Sequence, residues 1–331
     1  MPVHVTSLPP SPPEINPAPT LNEEQSNVYG IVLKHYSSPA YVIPGVDAQK
    51  ATLTEEEKQW LCAGLLLIVP FSLRASKWVL ATTITRLDDT LKWRREYGLY
   101  ELITPNHVEP EAVTGKEILA GYDLERRPAL YMMPSKQNTE ESPRQLQFAV
   151  WMLERAVDLM GPGVENLDIL INFADRGKNP SLSTSKNMLN ILQNHYPERL
   201  GLALVINVPT IINLFFKAIM PFVDPITRAK VKFNPEIIKE GLLINLKQRK
   251  NGGAKCWKPL VDLCNNLHTE RKERWRKLGG TVGLSEWDIK GGAPQPELQP
   301  AMTNGTNLIP DSKSTVSRKD IPESKSDTVL V

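Results

Sequence analysis

Along residues 80–97, Ile84, Leu87, Leu91 and Tyr97 recur on one side of a helix, and Arg86, Asp88, Lys92, Arg94 and Arg95 take the other. That spacing is the pattern of a helix lying on a protein surface. Gly98 supplies a stop. Upstream, Thr54 precedes Glu55, Glu56 and Glu57, a capping residue with carboxylates at the positive end of a helix dipole. Residues 50–100 therefore read as a small all-helical subdomain. Beyond it the period changes. Residues 128–134 form a short apolar run bounded by prolines. Leu146, Ala149, Val150, Leu153, Val157 and Met160 keep helical spacing up to Gly161-Pro162-Gly163. Residues 167–173 read as a buried strand, 183–194 as a helix and 202–208 as a second buried strand. Helices alternating with near-continuous apolar strands predict β-α-β units and a mostly parallel sheet flanked by helices.

Residues 209–220 break the alternation. Ile211, Ile212, Leu214, Phe215, Phe216, Ala218, Ile219 and Met220 leave only Asn213 and Lys217 strongly polar, four positions apart. A helix apolar nearly all round is either deep core or in contact with lipid. From residue 257 to 287 the chain becomes a basic helix, with Arg271-Lys272-Glu273-Arg274-Trp275-Arg276-Lys277 at its centre. Such a run is either a solvated face or a surface that attracts anionic lipid heads.

Composition narrows the classes. Of 28 prolines in 331 residues, seven fall in residues 1–20 and five in 288–331, and neither stretch holds an aromatic residue. Both ends, 1–25 and 288–331, are expected to be disordered tails. Lys and Arg number 39 against 37 Asp and Glu, so a nucleic-acid partner is not expected. The three cysteines make no CxxC pair and no metal spacing, which points to a reducing compartment rather than a disulfide scaffold; no metal and no cofactor are expected. The start lacks a charged segment followed by an apolar run, so no signal peptide is expected. The apolar stretch 61–73 is interrupted by Pro70 and too short for a bilayer of ~20 residues.

Three runs carry a family resemblance: His195-Tyr196-Pro197-Glu198-Arg199-Leu200-Gly201, Val205-Ile206-Asn207-Val208-Pro209 and Pro221-Phe222-Val223-Asp224-Pro225-Ile226-Thr227. They resemble the CRAL-TRIO lipid-binding family, and most of all its fungal phosphatidylinositol transfer proteins of the secretory-pathway type, in the subgroup linked to azole tolerance and sterol handling. Leu73-Arg74-Ala75-Ser76-Lys77-Trp78 and Leu91-Lys92-Trp93-Arg94-Arg95 are similar to that family's N-terminal helical extension. The resemblance covers about residues 52–287, with the lipid-binding domain at 105–256. It implies one lipid held in an apolar pocket under a movable helical gate. The gate corresponds to 209–220 and its continuation to Lys230, with Phe215, Phe216, Ile219, Phe222, Ile171 and Phe173 as gate and acyl-pocket residues.

Matched motif by motif, the resemblance places the inositol-phosphate head on Glu198, Lys230 and Thr227. The family's N-terminal basic pair falls on Ser76 and Lys77, so only Lys77 keeps its charge. Phosphate oxygens want cations and hydroxyl or backbone donors, and inositol hydroxyls want an acceptor. The expected partners are phosphatidylinositol, with a sterol as a second candidate, and a transiently touched membrane surface. The expected location is cytoplasmic, peripheral on endoplasmic reticulum, lipid droplet or Golgi membranes. Relatives that also accept phosphatidylcholine use hydroxyls on the strand that reads Leu-Asp-Ile-Leu-Ile-Asn-Phe here, without Ser or Thr, so that lipid is expected to be a poor ligand. Residues 64–71 and 236–256 depart from the family pattern.

An enzyme is the weaker reading. Ser181, Ser183, Ser185, His195, Asp168 and Asp175 could be combined into a triad, but there is no Gly-x-Ser-x-Gly elbow and the serines open a helix. A Gly-x-x-x-x-Gly-Lys phosphate loop is absent. A sensor that presents phosphatidylinositol to a kinase without bulk transfer, or a carrier of another small hydrophobe, would use the same pocket.

Overall fold

The computed structural model describes residues 21–62, 73–174, 181–236 and 253–292. Of the segments that depart from the family pattern, 64–71 and the part 237–252 of 236–256 lie outside the described residues, as do residues 1–20 and the second of the chain's two units, Gln295–Val331.

Five strands form one sheet in the order β1-β2-β3-β4-β5. They are β1 (Glu117–Tyr122), β2 (Pro128–Met132), β3 (Leu167–Asn172), β4 (Leu200–Ile206) and β5 (Val231–Phe233). β1 runs antiparallel to β2, and the other three pairings are parallel. Helix α5 (Pro143–Leu159) joins β2 to β3 and α6 (Leu182–His195) joins β3 to β4. Helices α7 (Thr210–Ile219) and α8 (Pro225–Ala229) join β4 to β5. Each crossover reaches the next strand in line, so right-handed connections put these helices on one face.

Pleating sends alternate residues to opposite faces. Leu119, Leu130 and Leu167 pack with Phe148, Trp151 and Met152 of α5 and with Trp257 and Leu260 of α9 (Gly253–Lys277). Ile118, Ala129, Tyr131, Leu170 and Leu204 form a separate cluster on the other face. Full burial of each large apolar side chain stabilises by about 1.5–3 kcal/mol.

Before the sheet stand α1 (Glu23–Ser37), α2 (Glu55–Cys62), α3 (Leu80–Glu96) and α4 (Pro105–Ala112). Thr54 caps α2 as expected, accepting from the Glu57 amide (3.2 Å) while Glu57 accepts from the Thr54 amide (2.9 Å). Helix α1 is not announced by its pattern. A capping box of Asn22 and Gln25 starts it, and Tyr29, Val32 and Tyr36 bury against Leu61, Leu73, Leu87 and Leu91.

The expected wet face of α3 is corrected at two positions. Arg94 is buried, and its guanidinium pairs with both carboxylate oxygens of Glu154 on α5 (2.8 and 3.0 Å). Arg95 reaches the buried Glu57 at 2.5 Å. A fork of donors matched to a carboxylate makes such burial tolerable. The C-terminal part is tied back as well. Lys272 and Arg276 of α9 meet Glu56 and Glu55 (both 2.6 Å), and the Trp275 indole donates to Cys62 Sγ (3.3 Å) and to the Thr281 carbonyl (3.2 Å). All three cysteines are free. The short α10 (Glu286–Ile289) closes the described chain against this end.

Candidate functional site

The turn between α6 and β4 carries His195 to Arg199, and each side chain but the proline is fastened to a different part of the molecule. His195 stacks on Trp93 of α3 (4.0 Å between centroids, 6° between planes), with Nδ1 3.1 Å from the Thr90 hydroxyl. Burial, then the charges of Arg94 and Arg86, push its pKa down to about 4. The Tyr196 hydroxyl donates to Glu154 (2.6 Å). Burial raises the Glu154 carboxyl, but Arg94 and Tyr196 together overcome this and hold it at about 2. The buried Arg199 donates to the Glu165 carbonyl (3.0 Å). A polar cavity of about 40 Å³ lies against this turn, lined in part by Trp60, Arg86, Thr90, Glu154, His195 and Tyr196. It has room for a few waters rather than an acyl chain.

Glu198 stands at φ +56°, in the left-handed region. Its carbonyl accepts from Asn166 Nδ2 (2.6 Å), and its carboxylate accepts from Arg74 Nε (2.9 Å). The same guanidinium reaches Glu165 at 3.1 Å. Burial raises the Glu165 carboxyl, against the pull of Arg74. Two residues past Glu198, the Leu200 carbonyl accepts from Lys230 Nζ (2.6 Å). Lys230 caps the C-terminus of α8. Its amide donates to the Thr227 carbonyl (3.1 Å), and its carbonyl accepts from Ala203 of β4 (3.0 Å). Thr227 is set by Asp224, whose carboxylate accepts its amide (2.9 Å). Lys77 is exposed on the turn that carries Arg74; Lys77 and Trp78 both have positive φ (51° and 62°). Next to Lys77, Ser76 is buried and its hydroxyl has no hydrogen-bond partner.

Glu198, Lys230 and the turn bearing Lys77 thus converge from segments far apart in sequence. Glu198 and Lys230 do not pair with each other: the first is held by Arg74, the second by a backbone carbonyl. Arg74 was not singled out by pattern or resemblance, although it lies inside a quoted motif.

The residues expected to form the gate and acyl pocket lie as follows. Ile171 and Phe233 both pair with Val205 in register, so all three face the same side, and Phe173 follows Ile171 by two positions. Phe216 meets Phe173 at 6.3 Å and Phe233 at 5.0 Å, both edge to face. Ile219 is buried. The side chain of Phe215 lies outside the described residues. Phe222 is 52 % exposed, under the Lys186 ammonium (4.4 Å), and its carbonyl accepts from Gln193 of α6 (2.8 Å). The helix is not apolar all round in its surroundings: Asn213, Leu214, Lys217 and Ala218 point to solvent. Leu214 and Ile226 are 62 % and 65 % exposed, leaving large apolar side chains outside as well as inside. At the other end, Asn207 bonds Asn172 (2.8 Å), and Asn234 bonds the Val208 amide (3.3 Å), closing the strand ends beneath α7.

The triad reading is not assembled. Ser181 caps α6, accepting from the Thr184 amide (3.1 Å), and His195 ends the same helix. Fourteen residues of helix separate them by about 20 Å. Asp168 is buried in the sheet beside Arg127 (3.3 Å).

The candidate site thus combines a mostly parallel sheet, an amphipathic helix after β4 and a charged corner at the α6–β4 turn. Residues 112–249 match the CRAL/TRIO domain. Over 305 residues the chain is 42 % identical to a CRAL-TRIO domain-containing protein of Schizosaccharomyces pombe, covering 87 % of this chain and 30 % of that protein. It is 35 % identical over 299 residues to the phosphatidylinositol transfer protein PDR17 of Saccharomyces cerevisiae, covering 82 % of this chain and 85 % of that one. It is also 26 % identical over 250 residues to the SEC14 cytosolic factor of Candida glabrata, covering 65 % of this chain and 82 % of that one. The chain belongs to the CRAL-TRIO lipid-binding family. Among the described residues no helix is long and apolar enough to cross a membrane.

Proposed function

We propose that this protein binds phosphatidylinositol in an apolar pocket beneath α7 and α8 and transfers it between membranes. The observation that carries the reading is that Lys230, from the end of the segment expected to be the gate, reaches the Leu200 carbonyl, two residues past Glu198 of the α6–β4 connection. A carboxylate there suits inositol hydroxyls, and the ammonium and the Thr227 hydroxyl suit the phosphodiester. The similarity to a protein named as a phosphatidylinositol transfer protein supports this choice of lipid. Acyl chains would run along Ile171, Phe173 and Phe216, under Ile219. The exposed Leu214, Phe222 and Ile226, with Lys186 and Lys217 among them, suit transient contact with a bilayer. The hydroxyl-free strand β3 makes phosphatidylcholine a poor ligand and a sterol the second candidate.

Lys230→Ala tests the reading. Loss of a charge-assisted contact to a desolvated phosphate costs on the order of 2–5 kcal/mol. Phosphatidylinositol transfer between vesicles should fall by well over tenfold with the melting transition kept. Unchanged transfer would overturn the assignment. Retained binding with very slow transfer would favour a sensor that presents the lipid.

A further inference from the structure

We infer that Arg74 sets the preference for an anionic over a zwitterionic phospholipid head. The inference rests on the proposed binding of phosphatidylinositol at this corner and names the residue that makes the corner selective.

Arg74 sits on the turn that also carries Ser76 and Lys77, and its guanidinium is shared between two carboxylates, Glu198 at 2.9 Å and Glu165 at 3.1 Å. All three side chains are only partly exposed, at 32 %, 27 % and 25 %. One cation therefore answers two acids in a setting where water screens them incompletely. Without it, Glu198 would lose its Arg74 ion pair and Glu165 would keep the Coulombic pull of Arg199, so the corner would carry one more uncompensated negative charge. A phosphodiester carries one negative charge. In phosphatidylinositol nothing on the head offsets that charge, whereas in phosphatidylcholine a quaternary ammonium does. That added negative charge repels the first head and tolerates the second.

The place of Arg74 also fits the sequence departure at this turn. Ser76 has no charge to offer, and its buried hydroxyl has no partner. Arg74 lies two positions upstream and points its charge at the same carboxylate on which the inositol is proposed to rest. Arg74 acts through Glu198 and is a positioning residue. Its Nε holds the Glu198 carboxylate at 2.9 Å, on a residue whose backbone stands in the left-handed region.

The experiment loads the full chain from vesicles of equal phosphatidylinositol and phosphatidylcholine and measures both lipids extracted from the repurified protein. The wild type should carry mainly phosphatidylinositol. Arg74→Gln should lower the phosphatidylinositol-to-phosphatidylcholine ratio by about tenfold, and Arg74→Lys should keep part of it, since a point charge cannot span both acids. A merely structural arginine would lower total loading and leave the ratio alone, and that result overturns the inference. Should Arg74→Gln fail to fold, the double variant Arg74→Gln/Glu165→Gln restores the charge balance. Its ratio should lie above a tenth of the wild-type value, and a ratio below that overturns the charge argument. A wild type that loads no phosphatidylinositol would instead sink the functional reading beneath it, so the two failures are told apart.

Discussion

Phe216→Asp separates a gate from a piece of core. Phe216 is half-buried, touching Phe173 at 6.3 Å and Phe233 at 5.0 Å, on a helix whose neighbouring positions Lys217 and Ala218 are exposed. Edge-to-face pairs contribute about 0.5–1.5 kcal/mol each, so losing both costs about 1–3 kcal/mol. For a chain of this size that lowers Tm by about 2–12 °C. The new carboxylate keeps access to water on this half-exposed site and adds little further cost while the helix lies closed. At a membrane the balance changes. A charge at the centre of a bilayer costs about 2.5–3.5 kcal/mol and less toward the interface. Taking about 2 kcal/mol for a shallow helix, docking and transfer should fall roughly thirtyfold. Phe216→Ala is the control, because it loses the same ring pairs without gaining a charge. Flotation with anionic vesicles, a transfer assay and a melting curve on the three proteins decide the matter. Equal docking by the Ala and Asp variants would refute insertion of this helix. Collapse of the melting transition in the Asp variant would return α7 to the core, as burial of an unpaired charge requires.

Two further outcomes follow from the turn His195–Arg199. The folded pKa of His195 is depressed, first by burial and then by Arg94 and Arg86, to about 4. The folded state therefore refuses a proton that the unfolded chain accepts below about 6.5. Stability contributed by the neutral ring is present above pH 6.5 and lost as pH falls toward 4. Discounting for the ring's partial exposure leaves a loss on the order of 1–2 kcal/mol. His195→Gln should flatten this slope in denaturant titrations compared between pH 7 and pH 4, and an unchanged slope would exclude the ring as its source. Glu154→Gln leaves the buried Arg94 guanidinium without its counter-charge and should destabilise by about 3–5 kcal/mol. Urea unfolding measures this, and a change under 1 kcal/mol would mean that the pair is not the bond holding α3 to α5.

What the chain discloses to a reader of its pattern follows from where its energy is concentrated. β2, β3 and β4 are continuous apolar runs because helices or other packing cover both faces, and such runs stand out. β5 has three residues, one of them Lys232, and depends on register with Ala203 and Val205 rather than on its own composition. Helix α1 holds Gly30 amid a Tyr-Gly-Ile-Val-Leu run that looks more like strand than helix, and burial of Tyr29, Val32 and Tyr36 overrides that local preference. Arg94 reads as surface on α3 because nothing in its own helix announces Glu154, sixty positions away. The signature turn shows the same limit at the site. Its residues mark the family, yet His195, Tyr196 and Arg199 are engaged in holding α3, α5 and the Glu165 loop together. Glu198 stands on a left-handed backbone that no sequence pattern encodes, and it is the residue of this turn proposed to meet the ligand. The pairing that orients it comes from Arg74, 124 positions earlier. On the proposed reading, ligand recognition therefore rides on the docking of the N-terminal helical layer. A substitution that loosens α3 should alter head-group choice through Arg74 before it alters the apolar pocket.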